Sequence, residues 1–448
     1  MIVRGATVVD ERGATVADVR VTDGVVAEVG PELAGGGAGD LDARGLLALP
    51  GVVDAHVHLN DPGRAHWEGI ETGSRSLAAG GGTMFFDMPL NAHPPTTDAA
   101  SFAQKVAAAK ASSVTDFALW GGLVPGNLDL LEELNECGVI GFKAFMSNSG
   151  IEDFSCVDDQ TLKAGMKKCA GIGRIVAVHA ESEAMTSELT RERLSAGKTS
   201  VRNYLDSRPI SAELDAIGRA LNLAGETGCD LHIVHVSCGA GIALVVAAQK
   251  LGVKVTCETC PHYLALTEDD LEQIGALAKC APPLRERPAQ AGLWEYLKAG
   301  QITTIGSDHS PSPPDMKKDS NFFKVWGGIS GIQHTLPILI TEGHVNRGVA
   351  LPLLARLTSF NVAGRFKLPS EKGKLAVGAD ADLALVDFGQ SFEVRAEVLF
   401  YRHKQSPYCG RALTGKVVQT ILRGQNVFRN GKCEGKPLGK LVKPADAE

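Results

Sequence analysis

Hydrophobic and polar positions change rhythm twice along the chain. The first fifty residues alternate in short β-rich runs: Ala6–Val9, Ala17–Val21 and Val25–Val29, separated by Asp10-Glu11-Arg12-Gly13 and Thr22-Asp23-Gly24, whose Asp and Gly favour turns. The tail returns to that rhythm in Asp382–Val386 and Lys416–Leu422, with a turn at Arg429-Asn430-Gly431. Both ends are therefore expected to build one small β-sandwich domain, from residues 1–50 and 375–448. Between them, over residues 51–374, apolar runs alternate with helical stretches such as Ala99–Ala111 and Ala212–Ala224. Eight strands are predicted: Leu47–Leu59, Thr83–Met88, Asp116–Gly121, Val139–Phe145, Ile175–His179, Leu231–Val236, Val253–Cys257 and Thr303–Asp308. Eight such units favour an α/β fold of the (β/α)8 TIM-barrel kind over an open doubly wound sheet. No Gly-x-Gly-x-x-Gly follows a strand into a helix, and no P-loop is present.

Polar residues interrupt those apolar strands where a barrel would place its active site, at the C-terminal strand ends. His56 and His58 end the first strand and share a face, because residues two apart in a strand point the same way. Lys143 lies in the fourth strand, and His179, His235 and Asp308 end the fifth, sixth and eighth. One His-x-His is an ordinary feature; five strand ends each bearing such a group are not. Four imidazoles and a carboxylate suit Zn2+ or a similar borderline ion. An ammonium between Phe142 and Phe145 is costly to bury. Its neutral form near two cations could take up CO2 as a metal-bridging carbamate, whereas a bland lysine would snorkel to the rim. Asp308 could bind a metal and take a proton from an activated water; the competing reading is a helix cap. Asn91, His93 and His262 follow strands two and seven toward the same face. Cys257-x-x-Cys260 reads as buried thiols and His232 as structural, while His344 and His403 have no supporting context.

A net charge of −7 with scattered basic residues gives no electrostatic case for nucleic acid or an anionic membrane. The N-terminus has no signal-peptide pattern, and no apolar run reaches the length of a membrane span. Ten cysteines in 448 residues are no disulfide framework, so a cytoplasmic location is expected.

The segment Leu49-Pro50-Gly51-Val52-Val53-Asp54-Ala55-His56-Val57-His58, the strand-end residues and the tail segment Gly373–Leu383 together resemble the cyclic amidase branch of the amidohydrolase superfamily, over essentially the whole chain. That resemblance implies two divalent metals, zinc with manganese or cobalt as alternatives. His56, His58 and Asp308 match ligands of the more buried metal, and His179 and His235 those of the second. Lys143 matches a bridging N6-carboxylysine, and Asp308 the general base and acid of ring-opening hydrolysis. It also implies a small-molecule substrate and a homotetramer. Dihydroorotase-like relatives carry an arginine for the substrate carboxylate where Asn60 stands here, and hydantoinases and dihydropyrimidinases usually place a tyrosine where Asn148 stands. Both departures point to a hydantoin ring with a polar ureido tail. Asn148, His262, Asn91, Ala281 and Gly327 are the expected substrate contacts. A hydantoinase or dihydropyrimidinase remains the alternative, then a dihydroorotase. From a different class, a silent assembly protein of this superfamily would be expected to lack several ligands.

Overall fold

A computed structural model describes residues 1–446. The amino-terminal strands are β1 (Ile2–Val9), β2 (Ala14–Thr22), β3 (Val25–Gly30), β4 (Leu41–Asp42) and β5 (Leu47–Pro50). Next come nine short parallel strands: β6 (Val52–Val57), β7 (Gly82–Asp87), β8 (Asp116–Leu119), β9 (Gly121–Gly122), β10 (Phe142–Phe145), β11 (Val176–His179), β12 (Leu231–Ile233), β13 (Val255–Thr259) and β14 (Thr304–Ile305). The carboxyl-terminal strands are β15 (Leu383–Glu393), β16 (Ala412–Leu422), β17 (Gln425–Arg429) and β18 (Lys432–Cys433).

Both ends of the chain do share a sheet, in the order β18-β17-β16-β15-β5-β1-β2-β3, with β4 alongside β1. Its own apolar cluster includes Val3, Val8, Val19, Val26, Leu383, Leu385 and Ile421. The expected single strand Leu47–Leu59 is in fact two. Leu47–Pro50 pairs antiparallel with β15, and after Gly51 the chain enters the α/β region as β6. Only glycine fits that corner, since a Cβ at Gly51 would lie 2.3 Å from Thr83 Oγ1. An all-apolar run therefore hid a change of sheet.

The parallel strands form two sheets, β6-β7-β8 and β14-β13-β12-β11-β10-β9. Ile140 N donates to Leu119 O at 2.9 Å along one seam. Along the other, Val57 bridges His309 and His58 N donates to His309 O at 2.8 Å. Helices alternate with the strands, and their boundaries follow local chemistry. Asp98 accepts from Ser101 N at 2.7 Å to start Ala99–Ser112, while Gly228 in the left-handed region ends Ile210–Thr227. In the latter, Ala212, Ala216, Ile217, Ala220, Leu221 and Ala224 form the buried stripe that a 3.6-residue period requires.

A buried ion cluster ties the two regions together. Lys372 Nζ lies 2.6, 2.7 and 2.9 Å from carboxylate oxygens of Asp116, Asp380 and Asp382, and Arg423 also bonds Asp116. Residues 439–442 return to the α/β region, where Phe117 N donates to Lys440 O and Val442 N to Phe117 O. Among the described residues no helix is long and apolar enough to cross a membrane.

Candidate metal centre

Strand geometry brings the predicted polar residues to one place. His56 and His58 emerge from the end of β6, and the Nε2 atom of each lies 3.4 Å from Asp308 Oδ1. One ligand atom from each of these three side chains falls within 4.8 Å of the others. On the neighbouring strands, His179 Nδ1 faces His235 Nε2 at 3.1 Å. Lys143, in β10, is fully buried, and its Nζ has no hydrogen-bond partner. Its charge bears on His56 and on both His179 and His235. His56 Nε2 is likewise buried without a hydrogen bond. Orphaned donors and acceptors of this kind are rare unless something else occupies the site. The donor set, imidazole nitrogens with carboxylate and a lysine, fits divalent metal.

Backbone strain accompanies the site. His235 and Asp308 have φ of 40° and 45°, and Asn60 and Asn91 have 65° and 69°. Such conformations cost on the order of 1 kcal/mol or more each outside glycine and persist where surrounding structure holds a side chain to a task. β12 ends at Ile233 and β14 at Ile305, and the left-handed backbone at His235 and Asp308 just beyond them re-aims both side chains.

Electrostatics separate the groups by role. Burial holds His56, His179 and His235 below their usual range, as ligand imidazoles must be neutral. Burial works to raise Asp308, but His56, His58 and His235 hold its carboxyl well below the usual range. Burial lowers Lys143, against the opposing pull of Asp308 and Glu258.

Three groups outside the predicted set support the site. His56 Nδ1 contacts Glu258 Oε1 at 2.7 Å, and His179 Nε2 contacts Glu181 Oε2 at 2.8 Å. Arg208 Nη1 donates to Glu181 Oε2 at 2.6 Å and, with His179, keeps that buried carboxyl at about 2. Carboxylates on the far nitrogens of ligand histidines fix tautomer and ring orientation. Glu258 sits inside Cys257-x-x-Cys260, where an acid amid an apolar strand was the available signal. Glu181 lies two residues beyond His179, on the chain leaving the strand.

A cavity of about 520 Å3 opens onto the centre. His56, His58, His179, His235 and Asp308 line it with Asn91, Asn148, Ala281 and Gly327. His262 is fully buried and does not line this cavity; neither ring nitrogen has a hydrogen bond. Asp308 and His56 nevertheless act on its charge, so it lies close behind the centre. His93 is turned outward against Asp153 at 2.7 Å. Asp308 caps no helix, the next helical turn being Pro314–Lys317 with Pro313 before it. Cys257 and Cys260 are buried free thiols, and His232 bonds Thr256 Oγ1 at 2.8 Å. His344 bonds Val349 O and His403 bonds His66 O, each away from the centre. The three acids Asp116, Asp380 and Asp382 also cluster, but the Lys372 ammonium fills the place a cation would take.

The chain belongs to the amidohydrolase family, which it matches over residues 47–427. Among curated proteins, it is 56% identical to the allantoinase of Rubrobacter xylanophilus, over 99% of this chain and 97% of that one. It is 50% identical to the allantoinase of Deinococcus radiodurans, over 99% and 98%. Among solved structures, the L-hydantoinase (dihydropyrimidinase) from Arthrobacter aurescens is 36% identical and covers 99% of both chains with a TM-score of 0.96. The dihydropyrimidinase from Brevibacillus agri is 31% identical, with a TM-score of 0.93 over 99% of this chain and 98% of that one.

Proposed function

We infer that this protein is a metal-dependent hydrolase that opens the hydantoin ring of allantoin to give allantoate. The carrying observation is the convergence of five ligand-type side chains on one cavity, with His56, His58 and Asp308 at one position and His179 and His235 at another. We propose that these hold two divalent metals, zinc ahead of manganese or cobalt, and that Lys143 bridges them as N6-carboxylysine. Metals bound there would polarise the ring carbonyl and make water nucleophilic at neutral pH.

The rest of the chemistry falls to the chain. Asp308, held ionised by the histidines around it, accepts the proton of the attacking water and delivers it to the departing ring nitrogen. Glu258 and Glu181 hold the rings of His56 and His179 in place. Asn91 and Asn148 offer amide groups at the cavity wall, suited to carbonyl and N–H groups of a ureido tail. Asn60, buried beside Pro311, leaves no cation for a substrate carboxylate at that position.

The seam contacts support a further reading: with β8 and β9 counted as one strand interrupted at Trp120, the parallel strands close as an eight-stranded barrel. We propose that residues 51–374 make up this catalytic domain, that 1–50 and 375–448 make up the β-sandwich domain, and that the enzyme is a cytoplasmic homotetramer. Identities of 43–56% to allantoinases, against 25–36% to the hydantoinases, favour allantoin over simple hydantoins. The filled ligand set counts against a silent assembly protein. Turnover of allantoin, hydantoin, dihydrouracil and dihydroorotate by the metal-loaded protein tests the assignment. Dihydrouracil turned over well above allantoin would replace it with a dihydropyrimidinase.

A further inference from the structure

One wall of the cavity is made by Asn321 and residues 323–328, a stretch with neither helix nor strand. Irregular backbone beside a ligand site needs partners for its carbonyls. Two lysines supply them. Lys279 Nζ donates to Val325 O at 2.6 Å, Phe322 O at 2.7 Å and Phe323 O at 3.4 Å. Lys317 Nζ donates to Trp326 O at 2.8 Å, Gly328 O at 2.9 Å and Ala276 O at 3.2 Å. An ammonium has three N–H groups, so each lysine is saturated. Among the described residues neither forms an ion pair; Lys279 is instead flanked by the rings of Tyr204 and Phe322, with its Nζ 4.5 and 5.2 Å from their centroids. A buried and a half-buried cation without ion-pair partners are expensive features, and desolvation lowers both to about 7. Packing alone would be served by methionine. Main-chain bonds add to the same fastening: Gly328 N donates to Lys279 O at 2.7 Å and Trp326 N to Met316 O at 2.9 Å.

With those carbonyls and the amides of Trp326 and Gly328 taken up, the wall is held in one shape beside the metal centre. Trp326 Nε1 is buried without a partner, and Gly327 lines the cavity. We propose that Lys279 and Lys317 are positioning residues that take up carbonyls of the 321–328 wall and hold Gly327 and its neighbours in the shape that a ureide substrate meets. This rests on the reading of the cavity as a ureide site.

Lys317 gives the cleaner test because it does not line the cavity. In metal-loaded wild-type protein, hydrogen–deuterium exchange at Trp326 and Gly328 is expected to be slowed at least about 100-fold relative to open peptide. In Lys317→Met, exchange across 321–328 should quicken while strands keep their protection and metal content stays. KM for allantoin should rise about tenfold, with kcat within about twofold, and Lys317→Arg should recover part of the loss. Unchanged KM with unchanged exchange overturns the proposal, as does faster exchange throughout the molecule, which would mark a general structural role. If Lys317→Met does not accumulate, the wild-type measurement decides alone: a wall exchanging like open peptide sinks the proposal. A protected wall in a protein inert to allantoin would instead sink the substrate reading and leave the fastening supported.

Discussion

Truncating Glu258 to alanine should cost metal, and the structure sets the scale. Glu258 Oε1 lies 2.7 Å from His56 Nδ1 and accepts from His235 N at 3.3 Å, with the Glu258 and His56 side chains each only 1% exposed. A buried hydrogen bond to a charged partner contributes about 1.5–3 kcal/mol. Removing the carboxylate leaves His56 free to rotate and to choose the wrong tautomer, with nothing to fill the gap. Loss of such a supporting partner typically weakens metal binding 10–100-fold. The expected outcome is about 100-fold weaker binding for Glu258→Ala, near 2.7 kcal/mol. Glu258→Gln keeps an acceptor oxygen at the same place but loses its charge, so about tenfold is expected there. Equilibrium dialysis against chelator-buffered zinc, read by elemental analysis, gives both values; near-ultraviolet circular dichroism checks the fold. Binding within about threefold of wild type in the alanine variant would refute the claim that Glu258 orients a ligand.

Lys143→Ala should lose two-metal occupancy and activity together, with partial rescue by a short carboxylic acid; wild-type metal content and rate in that variant would contradict the carbamate. Gly306→Ala should also injure the centre, because a Cβ there would sit 2.5 Å from Glu258 Oε2 and 2.8 Å from His56 Cβ. Activity should fall at least about tenfold, and an unimpaired variant would show that the strand yields. Lys372→Met should destabilise the protein by about 3–5 kcal/mol, since it strands buried carboxylates, read as a lower urea midpoint. The Lys372 ammonium is held above its ordinary value of 10.5 mainly by Asp382 and Asp116 against the opposing cost of burial. Its contribution is therefore complete below about pH 10.5 and lost only as pH rises through the higher folded value. A clasp that weakens between pH 6 and 9 would argue against that arrangement.

The centre itself was readable in sequence because its residues break a rule locally: His, Lys and Asp stand in or at the ends of otherwise apolar strands, two apart where they share a face. Glu258 broke the same rule, but it stands between Cys257 and Cys260, whose spacing reads as buried thiols and gives the acid between them no role. Glu181 and Arg208 were invisible for a different reason. Glu181 follows β11 and Arg208 lies between two helices, and only the folded path shows which charge faces which ring. The run Leu47–Leu59 concealed its break because both halves are buried, one in each sheet, and burial leaves no change in hydrophobicity to mark the crossing. The 321–328 wall had no pattern at all; its order comes from two lysines that sequence alone would place on the surface.

The break at Gly51 also sets a timetable. β5 needs β1 on one side and β15 on the other, and β15 begins roughly 330 residues later in the chain. At the usual pace of synthesis, β5 emerges with one edge open while the whole α/β region is still being made. Its run Leu47-Ala48-Leu49-Pro50 carries no charge, and the proline withholds one amide from any foreign strand that tries to add there. The nascent protein thus waits with its first two histidines already in the chain and its terminal sheet half built. A ribosome-bound fragment ending before Leu383 should be the species most prone to capture by chaperones or by its own kind.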